Sequence, residues 1–220
     1  MTPDPITKLA EPLRQIAGAV GPLEALIDTP AGEPRASVVF AHPLPTHGGT
    51  MHTKVVFQAA KALARIGCAV LRFNFRGVGS SAGTWDHGRG ELEDYRAALE
   101  HMGAKYPGLE MWAAGFSFGA YIATTVGADD DRVCALIAIA PPVDKYEFPS
   151  MKTSPKPKFI VHGERDELIS LKLVRHFYAQ LPEPKELVEI DRANHLFDGQ
   201  ASEVGDALVD LLEDFTCKTG

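Results

Sequence analysis

Ser117 stands in Gly115-Phe116-Ser117-Phe118-Gly119, after an apolar run that starts at Met111 and before a helix-capable segment. A strand that turns sharply into a helix holds a serine hydroxyl clear of the sheet at a helix N-terminus, as a nucleophile elbow does. Gly115 and Gly119 flank the turn because strand and helix backbones approach too closely there for side chains. A serine hydroxyl alone is a poor nucleophile, so it needs a base in hydrogen-bond reach and an acid to orient that base. Eight histidines are available. His195 is the candidate base, because it follows Asp191-Arg192-Ala193-Asn194 in a post-strand loop and leads into Leu196-Phe197, where a final helix can brace it. His42 and His162 lie at strand ends and read as partners of loop backbone. His47 and His52 sit in an open loop whose spacing fits no zinc helix, and His87, His101 and His176 read as surface or helix residues. Asp166, in Gly163-Glu164-Arg165-Asp166-Glu167, is the candidate acid, with Glu164 and Asp191 as rivals. The chain order Ser117, Asp166, His195 is nucleophile, acid, base, as expected of an α/β sheet with such an elbow.

Acyl chemistry at Ser117 also needs two N–H groups aimed where negative charge develops. Phe118, next to the nucleophile, supplies one. The second should come from the loop after the strand that ends at Ala41. Two registers compete, His42-Pro43-Leu44 directly after the strand and His47-Gly48-Gly49 further on. Pro43 has no N–H to offer, so Leu44 is preferred, with Gly48-Gly49 shaping the loop.

The elements that must position these residues alternate in type. Two short apolar stretches separated by Gly21-Pro22 predict an antiparallel hairpin at a sheet edge within residues 9–28. Strands are expected over 37–41, 69–73, 111–116, 133–140, 158–162 and 185–190, several as continuous apolar runs suited to burial on both faces. Apolar spacing of three and four predicts helices over 54–66, 91–105, 119–126, 171–180 and 204–215. The fold class is therefore α/β, an open and mostly parallel sheet with helices on both faces, and ligands should bind at the carboxyl ends of its strands. Only residues 141–157 join two of these strands, enough for a short helix and a turn but not for a large cap. The mouth of the site should be open, with Trp85, Tyr146 and Phe148 as candidate substrate-binding aromatics. Arg76-Gly77-Val78-Gly79-Ser80-Ser81-Ala82-Gly83 resembles a phosphate cradle but lacks the Lys-Ser/Thr ending of a P-loop and the dinucleotide spacing. It is expected to wall the site.

These motifs together resemble the α/β-hydrolase superfamily along essentially the whole chain. The likeness is closest to small, lidless bacterial members, through His42-Pro43-Leu44-Pro45 with Gly48-Gly49-Thr50-Met51-His52, through Leu71-Arg72-Phe73-Asn74-Phe75-Arg76-Gly77-Val78-Gly79-Ser80-Ser81, and through the elbow. Asn74 stands where many relatives carry Asp. The resemblance places the acid at Asp166. It implies a serine hydrolase that cleaves small or medium carboxylic acyl esters through an acyl-enzyme, with no cofactor and no metal. An amidase, peptidase or thioesterase would use the same triad, and a binding protein could reuse the fold.

Composition narrows the partners. Residues 1–220 are expected to form a single domain, since 45% hydrophobic and 23% charged residues are ordinary for a soluble globular chain. A formal net charge of -7 without a block of Lys or Arg argues against nucleic acid. No apolar run of membrane-spanning length occurs, and the N-terminus shows no signal-peptide pattern. A cytoplasmic monomer or small homo-oligomer is expected, acting on a small acyl ester and water. The three cysteines, Cys68, Cys134 and Cys217, are widely spaced, which argues against a disulfide scaffold or a Cys-rich zinc site. Cys68 and Cys134 read as buried small hydrophobes.

Overall fold

The computed structural model describes residues 14–217. Eight strands form: β1 (Arg14–Gly18), β2 (Gly21–Asp28), β3 (Ala36–Ala41), β4 (Cys68–Phe73), β5 (Glu110–Phe116), β6 (Val133–Ile139), β7 (Lys158–Gly163) and β8 (Lys185–Ile190). They make one sheet in the order β1-β2-β4-β3-β5-β6-β7-β8. β1 pairs antiparallel with β2, and β2 with β4, while all further neighbours run parallel. The expected edge hairpin is present from Arg14 on, and residues 9–13 of that expectation lie outside the described residues.

Six helices accompany the sheet: α1 (Lys54–Arg65), α2 (Arg89–Lys105), α3 (Phe118–Asp129), α4 (Pro149–Thr153), α5 (Leu171–Gln180) and α6 (Ala201–Leu212). Side chains on a strand alternate between faces, and each face finds its own helices. Val38 and Phe40 of β3 share one core with Val55 and Leu63 of α1 and Val204 and Leu208 of α6. Val39 and Ala41 share the other with Tyr95 and Leu99 of α2 and Ile122 of α3. Both faces are covered, which is why β3, β4 and β7 are buried at every residue.

Three features differ from the sequence reading. The glycine loop after β4 is a brace and not a wall of the site. Glu24 of β2 accepts the Ser80 N–H (2.9 Å) and an Asn74 amide N–H (2.8 Å), while the Ser81 hydroxyl accepts the Glu24 N–H (2.9 Å). Gly79 is needed because a Cβ there would meet the Glu24 carboxylate at 2.1 Å. Arg76 and Asp94, both buried, hold the start of this loop to α2 with a 2.8 Å ion pair. Asn74 is itself structural, its side-chain Oδ1 accepting the Met51 N–H at 2.8 Å.

The cysteines are the second difference. Cys68 is free and buried, as expected, but Cys134 of β6 is bonded to Cys217 across 83 residues of chain, with a Cα–Cα distance of 6.0 Å. Spacing along the chain hides this pair, because only the fold brings the segment after α6 beneath the start of β6. Glu110 at the start of β5 lies against the two sulfurs, and it accepts the Thr216 hydroxyl (2.7 Å) and the Cys217 N–H (3.0 Å).

The third is α6, which starts at Ala201 and ends at Leu212, earlier at both ends than expected. Phe215 lies beyond the helix and packs its ring on Trp112 and Phe159. Between β6 and β7 the connection holds only α4 and turns, and Phe148 and Met151 fold it down onto the core. No helix among the described residues is long and apolar enough to cross a membrane.

Candidate active site

The carboxyl end of β5 carries the elbow. Ser117 adopts φ 53° and ψ -120°, a conformation that costs a non-glycine residue about 1–3 kcal/mol. Surrounding backbone holds it there. The Ser117 N–H donates to the Ile139 carbonyl of β6 at 2.8 Å. A Cβ on Gly115 would stand 2.1 Å from the Gly119 oxygen, and one on Gly119 would stand 2.3 Å from the Ala41 oxygen. No larger residue fits either place without moving the strand or the helix.

The loops after β7 and β8 meet the elbow. The Ser117 hydroxyl lies 3.0 Å from His195 Nε2, and His195 Nδ1 lies 2.7 Å from Asp166 Oδ2. Asp166 Oδ1 accepts the N–H groups of Leu168 (2.9 Å) and Ile169 (2.7 Å), so the loop turns its carboxylate inward. As Asp166 accepts, Nδ1 of His195 carries the proton and Nε2 is left to accept from the serine. Burial opposes ionisation of Asp166, but the bonds from His195 and the Ile169 N–H outweigh it and hold its pKa below the ordinary carboxylate value. The carboxyl is charged at neutral pH.

The rival acids face elsewhere. Glu164 accepts the Arg192 N–H at 2.9 Å, and Asp191 pairs with the Arg192 side chain at 3.3 Å, both on the exposed side of the loops. His162 is buried behind Asp166 and bonds the Ile169 carbonyl at 2.9 Å. His47 reaches the rim of the cleft, and His42 lies buried beneath it. Sequence reasoning passes over Glu167, yet its carboxylate accepts the His195 N–H at 3.2 Å and so anchors the backbone of that residue. Its position one residue past Asp166 is the signal that could have found it.

Ser117 and His195 open into a cleft of about 420 Å³. Pro43, Leu44, Phe118, Pro142, Tyr146, Ile169 and Leu196 supply most of its wall, and Lys145, Glu167 and His47 supply charge or polarity. Of the three aromatics expected to bind substrate, Tyr146 alone lines it. Phe148 is 3% exposed and packs on Tyr121 and Phe177. Trp85 sets its ring against Phe118 at 5.1 Å, one layer behind the cleft. The wall comes instead from the loops that carry Asp166 and His195. Leu168 and Leu196 stand 52% exposed at its mouth.

The Phe118 and Leu44 N–H groups, expected to serve a developing oxyanion, have no acceptor among the described residues. Phe118 is the first residue of α3, so its N–H has no partner within the helix. Leu44 precedes a single 3₁₀ turn, Pro45–His47, and no hydrogen bond from its N–H to an acceptor occurs among the described residues. Both residues line the cleft beside Ser117.

Known proteins match this chain. A family model described as "Serine aminopeptidase, S33" covers residues 32–155. An uncharacterized protein of Rickettsia prowazekii (strain Madrid E) is 36% identical over 83% of this chain and 81% of its own. An α/β serine hydrolase homologue from Coxiella burnetii is 42% identical, with a TM-score of 0.87 over 91% of this chain and 96% of that one. A serine hydrolase from Xanthomonas campestris described as lacking a lid is 34% identical, with a TM-score of 0.87 over 97% and 98% of the two chains.

Proposed function

The chain belongs to the S33 serine aminopeptidase family of α/β hydrolases, in its lidless branch, and from that premise we propose that Ser117, His195 and Asp166 are its nucleophile, base and acid. It is a serine hydrolase of esterase type. Ser117 attacks the acyl carbonyl while His195 Nε2 takes the hydroxyl proton, and Asp166 stabilises the imidazolium. The oxyanion accepts from the Leu44 and Phe118 N–H groups. The leaving alcohol departs with the proton from His195, giving the acyl-enzyme. Water then enters, loses a proton to His195 and releases the acid, restoring Ser117.

The observation that carries this reading is the unbroken line from Asp166 through His195 to Ser117, whose hydroxyl opens into a cleft that Leu44 and Phe118 help to line. The apolar wall favours acyl esters of small or medium size. An aminopeptidase would also need an anchor for the substrate ammonium. Among the described residues Glu167 is the one carboxylate that lines the cleft, and its Oε2 already serves the His195 N–H. We read the compartment as cytoplasmic, and the Cys134–Cys217 disulfide, a type of bond that persists chiefly in oxidising compartments, is the observation that stands against that reading.

A fluorophosphonate should label Ser117 alone. Turnover of p-nitrophenyl esters should rise from acetate to about butyrate or hexanoate and then level, because an open cleft recovers the ~0.8 kcal/mol per buried methylene only for the first carbons. L-Amino acid p-nitroanilides should be poorer substrates than the butyrate. An adduct on Ser80 or Ser81 would displace the nucleophile. A steady rise to C16, or anilides cleaved faster than esters, would overturn the substrate class.

A further inference from the structure

We propose that His42 is a positioning residue for the reaction: its imidazole holds the Pro43–Leu44 peptide so that the Leu44 N–H faces the nucleophile. The inference rests on the catalytic reading above, and in particular on Leu44 as an oxyanion donor.

Each nitrogen of the His42 ring has a backbone partner. The Phe75 N–H donates to His42 Nε2 at 3.1 Å, so Nε2 carries no proton. A neutral imidazole has one N–H, which must then be at Nδ1, and Nδ1 lies 2.7 Å from the Pro43 carbonyl oxygen. Tautomer and direction are therefore fixed: Nδ1–H donates to Pro43. The ring is wholly buried and meets Phe75 edge-on at 4.8 Å, which leaves it little freedom to turn. Burial also pushes its pKa down to about 4, against the pull of the Pro43 bond, so the ring is neutral near pH 7.

In a trans peptide the C=O and the following N–H point in opposite directions. Among the described residues the single cis bond is Glu183–Pro184, so Pro43–Leu44 is trans. With its carbonyl bonded to buried His42, this peptide turns the Leu44 N–H the other way, toward the cleft that Pro43 and Leu44 line with Ser117. The next peptide is held as well, because the Leu44 carbonyl accepts the N–H groups of His47 and Gly49, each at 3.1 Å. Gly49 leaves the necessary room: a Cβ there would stand 2.1 Å from the Pro43 oxygen and 2.6 Å from its carbonyl carbon. Each neighbouring carbonyl has an assigned donor, and the Leu44 N–H between them is left for the reaction.

The competing role for His42 is structural only, a link between the ends of β3 and β4 through the Phe75 N–H. Two variants separate the roles, since an asparagine amide reaches the position of Nδ1 and a glutamine amide that of Nε2. His42→Asn keeps a donor for Pro43 and loses the Phe75 bond. His42→Gln keeps an acceptor for Phe75 and loses the Pro43 bond. An oxyanion donor acts mainly in the transition state, so its misplacement lowers kcat more than it alters KM. With p-nitrophenyl butyrate, His42→Gln should lose about tenfold to hundredfold in kcat, short of the roughly 10²–10³ for deleting such a donor. KM should hold, and affinity for a trifluoromethyl ketone should fall in parallel with kcat/KM. His42→Asn should recover most of kcat even if both variants melt earlier. Loss in His42→Asn with retention in His42→Gln, or earlier melting with kcat intact in both, would overturn the inference. If neither variant folds, Gly49→Ala carries the test by pressing on the same peptide, and unchanged kcat in the folded Gly49→Ala protein would refute it. Fluorophosphonate labelling of wild-type Ser117 is the control: no adduct would sink the catalytic reading itself, whereas a normal adduct with unaffected variants would sink only the role of His42.

Discussion

The two ends of β5 are opposites. At its carboxyl end Ser117 is strained, glycines let backbones nearly touch, and the Leu44 N–H beside it has no acceptor among the described residues. At its amino end, about 20 Å away at ~3.3 Å per residue, most polar groups are paired, the buried Trp112 Nε1 being the exception. Glu110 accepts from Thr216 and Cys217, and Arg35 donates to the Ile66 carbonyl at 2.7 Å and the Phe215 carbonyl at 3.0 Å. Arg35 also stacks over Trp112 at 5.4 Å, and the Cys134–Cys217 bond closes the arrangement. The same strand supports a strained, closely packed end and an end tied by hydrogen bonds and a disulfide. A perturbation at one end should therefore change activity and leave stability nearly alone, and the reverse should hold at the other.

The largest expected effect is on turnover. Asp166→Asn should leave the fold intact and lower kcat by up to roughly 10⁴, a ceiling set by the equivalent acid-to-amide change in a well-studied serine protease. Glu164→Gln should lose little, because Glu164 faces Arg192. Measured kcat values in the opposite order would move the acid to Glu164. At the other end, Cys217→Ser should reduce unfolding free energy by about 2–4 kcal/mol, the usual range for a disulfide that closes a long loop. Its kcat/KM should stay within about twofold, since distant sites act independently. Denaturant titrations that matched wild type would show that the bond contributes nothing to stability. The smallest effect tests the strain directly. Ser117→Gly should abolish turnover yet raise stability by about 1 kcal/mol, because glycine adopts positive φ without penalty. A less stable glycine variant would mean that the hydroxyl's bond to His195 outweighs the strain.

The carboxyl end is readable in the sequence because its residues sit where rules apply locally. Ser117, Asp166 and His195 each follow an apolar run, and apolar runs buried on two faces are hard to mistake. Helix ends are less legible. The first turn of α6 contains Ser202 and Glu203, which carry no apolar period, and Phe215 reads as helix although it packs beyond the end. The cleft wall is misread from sequence for a related reason. Phe148 and Trp85 have the composition of a substrate pocket, but whether an aromatic ring faces solvent or core depends on how a connection folds down. The amino end is the least legible, since the partners of Cys134 and Glu110 come from a segment more than 80 residues on.

The order of the strands also governs how copies of this molecule meet in solution. A sheet that does not close leaves two margins, and an unguarded margin invites a strand from another copy. Here β8 carries Lys185, Glu186 and Glu189 along one margin, with Glu189 bonded to Arg175 of α5 at 2.7 Å, and β1 carries exposed Arg14 and Gln15 along the other. An incoming strand would have to strip water from the exposed Glu186 on one margin and Arg14 on the other before any ladder formed. Concentrated solutions are thus guarded against edge-to-edge aggregation by the two strands at the margins of the sheet.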